Sequence, residues 1–211
     1  TLRQTDPSFA SERKRLFDVC EAATRFFERT LENTEPGKAA FAYLEGRGVS
    51  TDTRKSFRLG FAPVGWDGLL KELRASGFRD EEVGRAGLAV GDEQGRRFYD
   101  RFRSRITFPI FDLNGKVVGF SGRIFEPQTD ANIEPQTHAE SPRGSASSPR
   151  ESAIAAKYIN TPQTPIYDKG RILYGLDKAK LAIRKEDRAV LVEGNMDALM
   201  SHQTGMAATV A

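Results

Sequence analysis

The sequence has a single cysteine, Cys20, among its 211 residues. One thiol cannot form an internal disulfide or complete a zinc site of several thiolates, which excludes small disulfide-framed domains and fits a reducing cytoplasm. The sequence also lacks an apolar run long enough to span a bilayer and begins without a signal-peptide pattern. We therefore expect a cytoplasmic protein with no membrane partner.

A strong charge of one sign is also absent, because the sequence has 32 basic and 29 acidic residues and a net charge of only +3. Any argument about an anionic partner must therefore depend on local arrangement. The length and the 38% hydrophobic content allow one large domain or two small ones with a true core. The chain begins at Thr1 without a methionine and ends in "MAATVA" with no closing turn. We expect a fragment of a longer protein.

The first part of the chain predicts helices with one short strand. From Ser8 to Glu32 the apolar residues recur at intervals of three and four, which is the spacing of an amphipathic helix. Two shorter helices are predicted in "KAAFAYLEGRG" and "STDTRKSF", the latter with Ser50 as its N-cap. A strand in "LGFAP", a helix around "WDGLLKELRAS" and a helix capped by Asp80 and ended by Gly87 follow.

The segment "RITFPIFDLNGKVVGFSGRIF" predicts a β-hairpin, because Asn114-Gly115 is the preferred two-residue type I′ turn. That turn sets a register in which alternate residues share a face. One face would carry Ile106, Phe108, Ile110 and Val117, and the other would carry Phe111, Val118, Phe120 and Ile124. Both faces are apolar, so we expect a sheet covered on both sides, with Pro109 at an edge or a bulge.

Residues 126–156 are rich in serine and proline and contain no aromatic residue. Such a segment cannot offset its ordering entropy, so we expect a disordered insertion in which His138 is solvated. Residues 157–186 predict a basic loop followed by a helix.

The last part of the chain, residues 187–211, predicts the start of a βαβ unit. "AVLV" is interpreted as a buried strand, followed by a turn at Glu193-Gly194, a helix from about Met196 to Gln203, and a strand in "MAATVA". A βαβ unit requires a parallel sheet. The fold class is therefore mixed α/β, with a helical and hairpin-containing part in residues 1–125.

Glu193 is the strongest single candidate for chemistry. It lies at the carboxyl end of a strand, where open α/β sheets bind ligands, and Gly194 allows a close approach. A carboxylate there suits Mg²⁺. Asp197, in the first turn of the next helix, is a second candidate, although it could equally serve as a charge that complements the helix dipole. One acid does not make a two-metal site, and a solvated charge remains the alternative for Glu193.

A second candidate is the basic and aromatic segment "GRRFYDRFRSR". Its arginines are Arg96, Arg97, Arg101, Arg103 and Arg105, and its aromatic residues are Phe98, Tyr99 and Phe102. In a strand, residues 101, 103 and 105 would share a face and offer a row of guanidinium groups to phosphates. Arginines among aromatic residues are typical of a groove for single-stranded nucleic acid, although a solvated charged face is the alternative.

Further cations follow along the chain. By the hairpin register Arg123 lies near Ile106, and Pro162 and Pro165 stiffen the segment "KYINTPQTPIYDKGR". The donors of that segment are Lys157, Asn160, Lys169 and Arg171. They are interpreted as groups held in place to bind an anionic ligand.

Five motifs in this order resemble the RNA polymerase core of bacterial replicative DNA primases. They are "YLEGRGVS", "RLGFAPVGWDGLL", "GRRFYDRFRSRITFPIFDLNGKVVGFSGRIF", "KYINTPQTPIYDKGRILYGL" and "VLVEGNMD". The resemblance covers nearly the whole chain apart from residues 126–156. It implies synthesis of short RNA primers on a single-stranded DNA template from ribonucleoside triphosphates, with a Toprim subdomain that starts at about Asp187.

The resemblance also implies site residues. Glu193 matches the catalytic, metal-binding glutamate, with Asp197 as a further candidate ligand for Mg²⁺ or Mn²⁺, and Asn195 replaces a usual tyrosine. Lys157 is implied as a catalytic residue. The basic ridge that binds template and nucleotide is implied at Arg101, Arg103, Arg123, Lys157, Tyr158, Asn160 and Lys169.

Family members carry further acidic residues on later Toprim strands, which we expect beyond Ala211. Their zinc-binding domain and their domain that binds the replicative helicase have no counterpart in this sequence, so Zn²⁺ is implied only for a domain absent here. Two alternatives remain. One is a non-catalytic module that binds single-stranded DNA, and the other is a Toprim nuclease or topoisomerase, which would leave the two basic segments unexplained.

Overall fold

The structure is a computed structural model that describes residues 7–92, 94, 97–125 and 156–211. The predicted insertion lies outside these residues apart from Ala156, so its disorder remains a prediction. The described helices are α1 (Pro7–Asn33), α2 (Glu35–Gly46), α3 (Thr51–Ser56), α4 (Gly68–Ala75), α5 (Asp80–Arg85), α6 (Leu176–Glu186) and α7 (Asn195–Gln203). The described strands are β1 (Gly60–Ala62), β2 (Ala89–Gly91), β3 (Phe98–Asp100), β4 (Arg105–Phe111), β5 (Val117–Ile124), β6 (Tyr158–Asn160), β7 (Val190–Leu191) and β8 (Thr209–Val210). No helix in these ranges is long and apolar enough to cross a membrane.

A four-stranded antiparallel sheet in the order β1-β4-β5-β6 organises the first part of the protein. One buried cluster joins it to α1, α4 and α5 through residues such as Phe27, Leu70 and Phe120. A second cluster, with Phe61 and Phe108, joins the opposite face to α2 and α7. The prediction of a sheet covered on both faces is confirmed. Part of the predicted basic loop is in fact the edge strand β6.

The hairpin turn differs from the predicted type I′ turn. Gly115 N–H donates to Asp112 O at 3.0 Å and Asp112 N–H to Lys116 O at 2.8 Å, and Gly115 has a φ of 79°. These bonds define a three-residue loop, which usually ends in a glycine of positive φ. A register shift between Ile110 and Phe111 compensates, so the predicted pairing from Arg105 to Ile110 is still correct.

The same bulge changes which faces the next residues occupy. Val117 packs with Phe111 and Phe120 in one buried cluster, whereas Val118 packs with Phe108 in the other. The prediction for these two valines was therefore wrong, because an extra residue in one strand reverses the alternation of side chains.

Two short elements also differ from prediction. Asp80 is the first residue of α5 rather than its cap, and the cap position is Arg79, whose N–H donates to the Glu82 carboxylate at 2.8 Å. The parallel pairing of β7 with β8 is confirmed, but β7 is not a buried strand, because Leu191 is 72% exposed.

A close approach of α1 to β1 gives a stability prediction. A Cβ on Gly60 would lie 2.5 Å from Cβ and 2.6 Å from the backbone carbon of Phe27. We expect Gly60→Ala to destabilise the fold by about 1–3 kcal/mol, as overpacking of a core does, in a urea unfolding experiment. The matched control is Gly46→Ala, where an added Cβ meets nothing within 4 Å. Equal effects of the two substitutions would contradict this account.

Candidate nucleic-acid interface

Three separate segments meet at one end of the four-stranded sheet. Ala62, Arg105 and Ile124 lie side by side there, and Ile124 N–H donates to Lys157 O at 2.9 Å. One step further out, Ser104 N–H donates to Pro63 O at 3.2 Å. We call this the basic end of the sheet, defined by Arg103, Arg105, Arg123 and Lys157 with the loop 63–67. The antiparallel pairing brings residues far apart in sequence to one place.

The edge of the sheet next to the basic end carries three of the predicted ridge residues. Arg123 is the direct partner of Tyr158, and Ser121 is the partner of Asn160. Directly paired residues share a face, so Arg123, Tyr158 and Asn160 lie on the same side of the sheet. Tyr158 is 40% exposed. The edge therefore offers a cation, a phenol ring and an amide together.

Arg123 is held by an aromatic ring. Its guanidinium carbon lies 4.9 Å from the centroid of the Tyr43 ring, and that ring lies 5.5 Å from the ring of Phe125. A guanidinium over an aromatic face keeps its charge while its side chain is held in place. The predicted neighbour of Arg123 is also correct, since Ile106 is its partner on β4.

Arg101, Arg103 and Arg105 do not form the row that a strand would give. Ser104 has a φ of 48°, and β4 begins only at Arg105. The Arg105 guanidinium is buried and donates to Gly122 O at 3.2 Å and to Ala156 O at 2.9 Å. Arg105 therefore links β4 to the backbone at Ala156, just before β6. Its contacts are those of a structural residue.

Arg103 is partly exposed and stacks on two rings. Its guanidinium carbon lies 4.1 Å from the Trp66 ring and 5.3 Å from the Tyr99 ring, and it donates to the backbone oxygen of Asp100. Nε of Arg101 is buried without a hydrogen-bond partner among the described residues. Burial lowers the pKa of Arg101, Arg103 and Arg105, but arginine stays charged in proteins.

Lys157 and Lys169 are both exposed. Lys157 immediately precedes β6 at the basic end, whereas Lys169 lies in the loop between β6 and α6. Two hydrogen bonds anchor the start of that loop, since Thr161 N–H donates to Phe120 O at 2.8 Å and the Thr161 hydroxyl accepts from Phe120 N–H at 2.8 Å. Pro162 packs against Gly87, where an added Cβ would lie 2.8 Å from the proline ring. The proline-rich segment is therefore well anchored.

Glu193 and Asp197 lie where the sequence predicts. Glu193 follows β7 at its carboxyl end, Asp197 is in the first turn of α7, and both are exposed. A Cβ on Gly194 would lie 3.0 Å from Oδ2 of Asp197, so the glycine leaves room beside that carboxylate. Within the described ranges, no three residues of the metal-binding types are grouped closely enough to hold an ion.

Sequence reasoning missed Trp66, Tyr43 and Asp100. The carboxylate of Asp100 accepts from the N–H groups of Leu69 at 2.8 Å and Leu70 at 3.1 Å, which caps α4 from a distant strand. Burial raises the pKa of Asp100 to about 6, although these two hydrogen bonds lower the pKa. The one available signal was Trp66 itself, the single tryptophan of the chain in a glycine-containing loop.

Comparison with known proteins places the chain in a family. The model of the DNA primase catalytic core, N-terminal domain, matches residues 26–180. A DNA primase of Synechococcus elongatus is 39% identical over 203 residues, which are 95% of this chain and 25% of that protein. A DNA primase of Deinococcus radiodurans is 38% identical over 99% of this chain and 31% of its own length. The chain thus spans about a quarter to a third of these relatives.

Comparison with solved structures supports the same family assignment. The RNA polymerase domain of the Mycobacterium tuberculosis primase DnaG gives a TM-score of 0.76 at 34% identity and covers 94% of this chain and 56% of its own. A DnaG primase catalytic domain bound to single-stranded DNA gives a TM-score of 0.72 at 34% identity, covering 96% of this chain and 54% of its own. The chain belongs to the family of DNA primase catalytic cores, and its residues 26–180 match the N-terminal domain of those cores.

Proposed function

We propose that this chain is part of a bacterial DNA primase, an enzyme that makes short RNA primers on single-stranded DNA from ribonucleoside triphosphates during replication in the cytoplasm. The observation that carries the proposal is the grouping of Arg123, Lys157, Tyr158 and Asn160 at one end and edge of the sheet. In the sequence, residues 126–156 separate Arg123 from the other three residues. The pairing of β5 with β6 brings them together.

The basic end and the adjoining edge suit a single-stranded template. Cations there would follow the phosphates, while exposed rings stack on bases. One structural relative was solved with single-stranded DNA, according to its description. In our proposal Arg101, Arg103, Arg123, Tyr158, Asn160 and Lys169 bind template or nucleotide.

Lys157 is proposed as a catalytic residue. Its exposed ammonium group at the basic end would stabilise the charge that develops on a triphosphate as pyrophosphate leaves. Arg123 on the neighbouring strand would hold the triphosphate in position for attack by the primer end.

Residues 187–211 are proposed to begin a Toprim subdomain that binds Mg²⁺ or Mn²⁺ through Glu193, with Asp197 as a second ligand. The two exposed carboxylates fit such an ion, which takes one or two protein carboxylates and keeps several waters. When bound, the ion would neutralise charge on the triphosphate. The preceding divisions, 1–125, 126–156 and 157–186, are proposed as the N-terminal core, its insertion, and the basic segment with α6. Contacts with an RNA primer and a replicative helicase would belong to the complete primosome.

The alternative is a module that binds single-stranded DNA without catalysis. The basic end of the sheet could bind a strand without any metal, through the cations Arg123 and Lys157 near the paired strands β5 and β6. Both functions predict binding that weakens with salt. They differ in whether Glu193 contributes to catalysis.

We expect the 211-residue chain by itself to make no RNA above background. Two carboxylates are too few for a two-metal site of the kind that polymerases use. The measurement is primer synthesis from labelled ribonucleotides on a single-stranded template with Mg²⁺, and a complete bacterial primase is the positive control. Clear synthesis by this chain would contradict the expectation.

A further inference from the structure

The side-chain amide of Gln203 joins the last part of the chain to the first. Gln203 is the last residue of α7, and its Nε2 donates to Gly48 O at 2.7 Å. Its Oε1 accepts from Ser50 N–H at 2.8 Å. One amide thus satisfies a carbonyl and an N–H group of the same loop, residues 47–50, which connects α2 to α3. Two bonds from one planar group fix orientation as well as distance, because hydrogen bonds are directional.

His202, the preceding residue, fastens the same end of α7 to two other elements. Its Nε2 lies 2.8 Å from Thr209 O, and the ring nitrogen is the donor because a carbonyl oxygen can only accept. Its ring meets the ring of Phe57 edge to face at a centroid distance of 5.4 Å. Thr209 belongs to β8, and Phe57 is the C-cap of α3. The C-terminal end of α7 is therefore held from several sides.

Apolar packing holds α7 against the first part of the protein without defining its orientation. Ala198 and Leu199 are buried in one cluster with Phe57. Burial of such side chains is favourable, but the hydrophobic effect is non-directional. The amide of Gln203 adds directional contacts to this packing. The helix is thus attracted by its apolar face and oriented by hydrogen bonds at its end.

The orientation of α7 affects the candidate metal ligands. Asp197 lies in the first turn of α7, and Glu193 precedes the helix by two residues. Nine residues at a rise of about 1.5 Å each give a helix of about 13 Å, so a tilt of about ten degrees about one end moves the other end by about 2 Å. A misplacement of about 1 Å can lower the rate of a reaction by about 100-fold. Contacts at the C-terminal end therefore control where the two carboxylates lie.

We propose that Gln203 is a positioning residue for primer synthesis. Its amide holds α7 against the loop 47–50 in the orientation that brings a metal ion on Glu193 to a triphosphate at the basic end of the sheet. Gln203 acts through the helix and touches no reacting group. This inference rests on the proposed function, since it assumes that Glu193 holds the ion and that Arg123 and Lys157 hold the triphosphate.

Replacing Gln203 in a full-length DNA primase that carries this segment tests the role. Gln203→Met keeps the length of the side chain and removes both hydrogen bonds, and we expect kcat for primer synthesis to fall about 10-fold to 100-fold. The KM for ribonucleotides and the affinity for a labelled oligothymidylate should stay unchanged, because the groups that bind them are intact. Gln203→Glu keeps the acceptor for Ser50 N–H but loses the donor to Gly48 O, so its kcat should be intermediate.

Thr204→Val is the matched control. The Thr204 hydroxyl donates to Ser201 O at 3.0 Å, an exposed bond within the end of α7 and its cap. Valine has nearly the same shape, and the lost bond does not reach the loop 47–50, so kcat should stay unchanged. Gln203→Met and Thr204→Val both remove exposed hydrogen bonds. The midpoints of their urea unfolding curves should therefore fall by similar small amounts.

Hydrogen exchange reports on the contact itself without any catalysis. Ser50 N–H donates to Gln203 Oε1. In the 211-residue chain, Gln203→Met should therefore speed the exchange of this N–H by about tenfold or more, because its protection ends with the bond. Gln203→Glu and Thr204→Val should leave the exchange close to that of the unchanged chain.

The possible outcomes distinguish a failure of this inference from a failure of the proposed function. If the unchanged primase makes primers and Gln203→Met is as fast as Thr204→Val, the positioning role is wrong and the proposed function stands. If Gln203→Met also loses affinity for the strand, or unfolds at much lower urea than Thr204→Val, Gln203 is a structural residue and the positioning role is again wrong. If the unchanged primase makes no primers, the proposed function fails, and the positioning role fails with it.

Discussion

Replacing Arg123 and Lys157 together with alanine is expected to weaken binding of single-stranded DNA about 25-fold at about 0.1 M monovalent salt. The estimate assumes one phosphate contact for each cation and a change in the logarithm of the binding constant of about 0.7 per contact for each tenfold change in salt. The same reasoning predicts that the slope of the logarithm of the binding constant against the logarithm of the salt concentration becomes shallower by about 1.4. Anisotropy titrations of a labelled oligonucleotide at several salt concentrations measure both quantities.

The matched control removes two cations elsewhere. Arg25 on α1 pairs with Glu21, and Arg188 before β7 pairs with Glu186, each with nitrogen and oxygen 3.0 Å apart at the surface. Changing both to alanine lowers the net charge by the same amount and should leave the salt slope nearly unchanged. If the two double variants weaken binding equally, net charge rather than the basic end attracts the strand. Circular dichroism would check that loss of the stacking between Arg123 and Tyr43 leaves the fold intact.

The sequence predicts best those features that depend on neighbouring residues. The spacing of apolar residues from Ser8 to Glu32 corresponds to α1, and the Ser50 cap is confirmed, with its hydroxyl accepting from Thr53 N–H at 3.2 Å. The hairpin register holds from Arg105 to Ile110. Local periodicity and turn chemistry are enough for such features, because their partners lie within a few residues.

Features set by distant partners could not be predicted in this way. Burial of Arg105 depends on carbonyl groups of Gly122 and Ala156, which reach it only when β4, β5 and the chain before β6 assemble. The capping of α4 by Asp100 likewise joins groups about thirty residues apart in sequence. A row of three arginines would require a strand through residue 104, but the backbone there takes a positive φ.

In a full-length DNA primase that carries this segment, Glu193→Gln is expected to reduce primer synthesis by about 100-fold to 1,000-fold, the usual cost of removing one group that stabilises charge in a transition state. Glutamine keeps the size of the side chain but removes the negative charge that a hard divalent cation requires. Glu193 is exposed at the end of β7, so the substitution breaks no buried contact and the fold should persist. The measurement is the rate of RNA synthesis over a range of Mg²⁺ concentrations.

The control for this prediction is Glu186→Gln, which removes an equal charge from the surface pair with Arg188 in the same region. Exposed ion pairs contribute at most about 1 kcal/mol, so activity should change little. Binding of single-stranded DNA should also be unaffected by Glu193→Gln, because a carboxylate does not attract phosphates. Loss of synthesis with retained binding would separate a metal-binding role for Glu193 from a general defect. Retained synthesis would support the alternative in which this end of β7 carries an ordinary solvated charge.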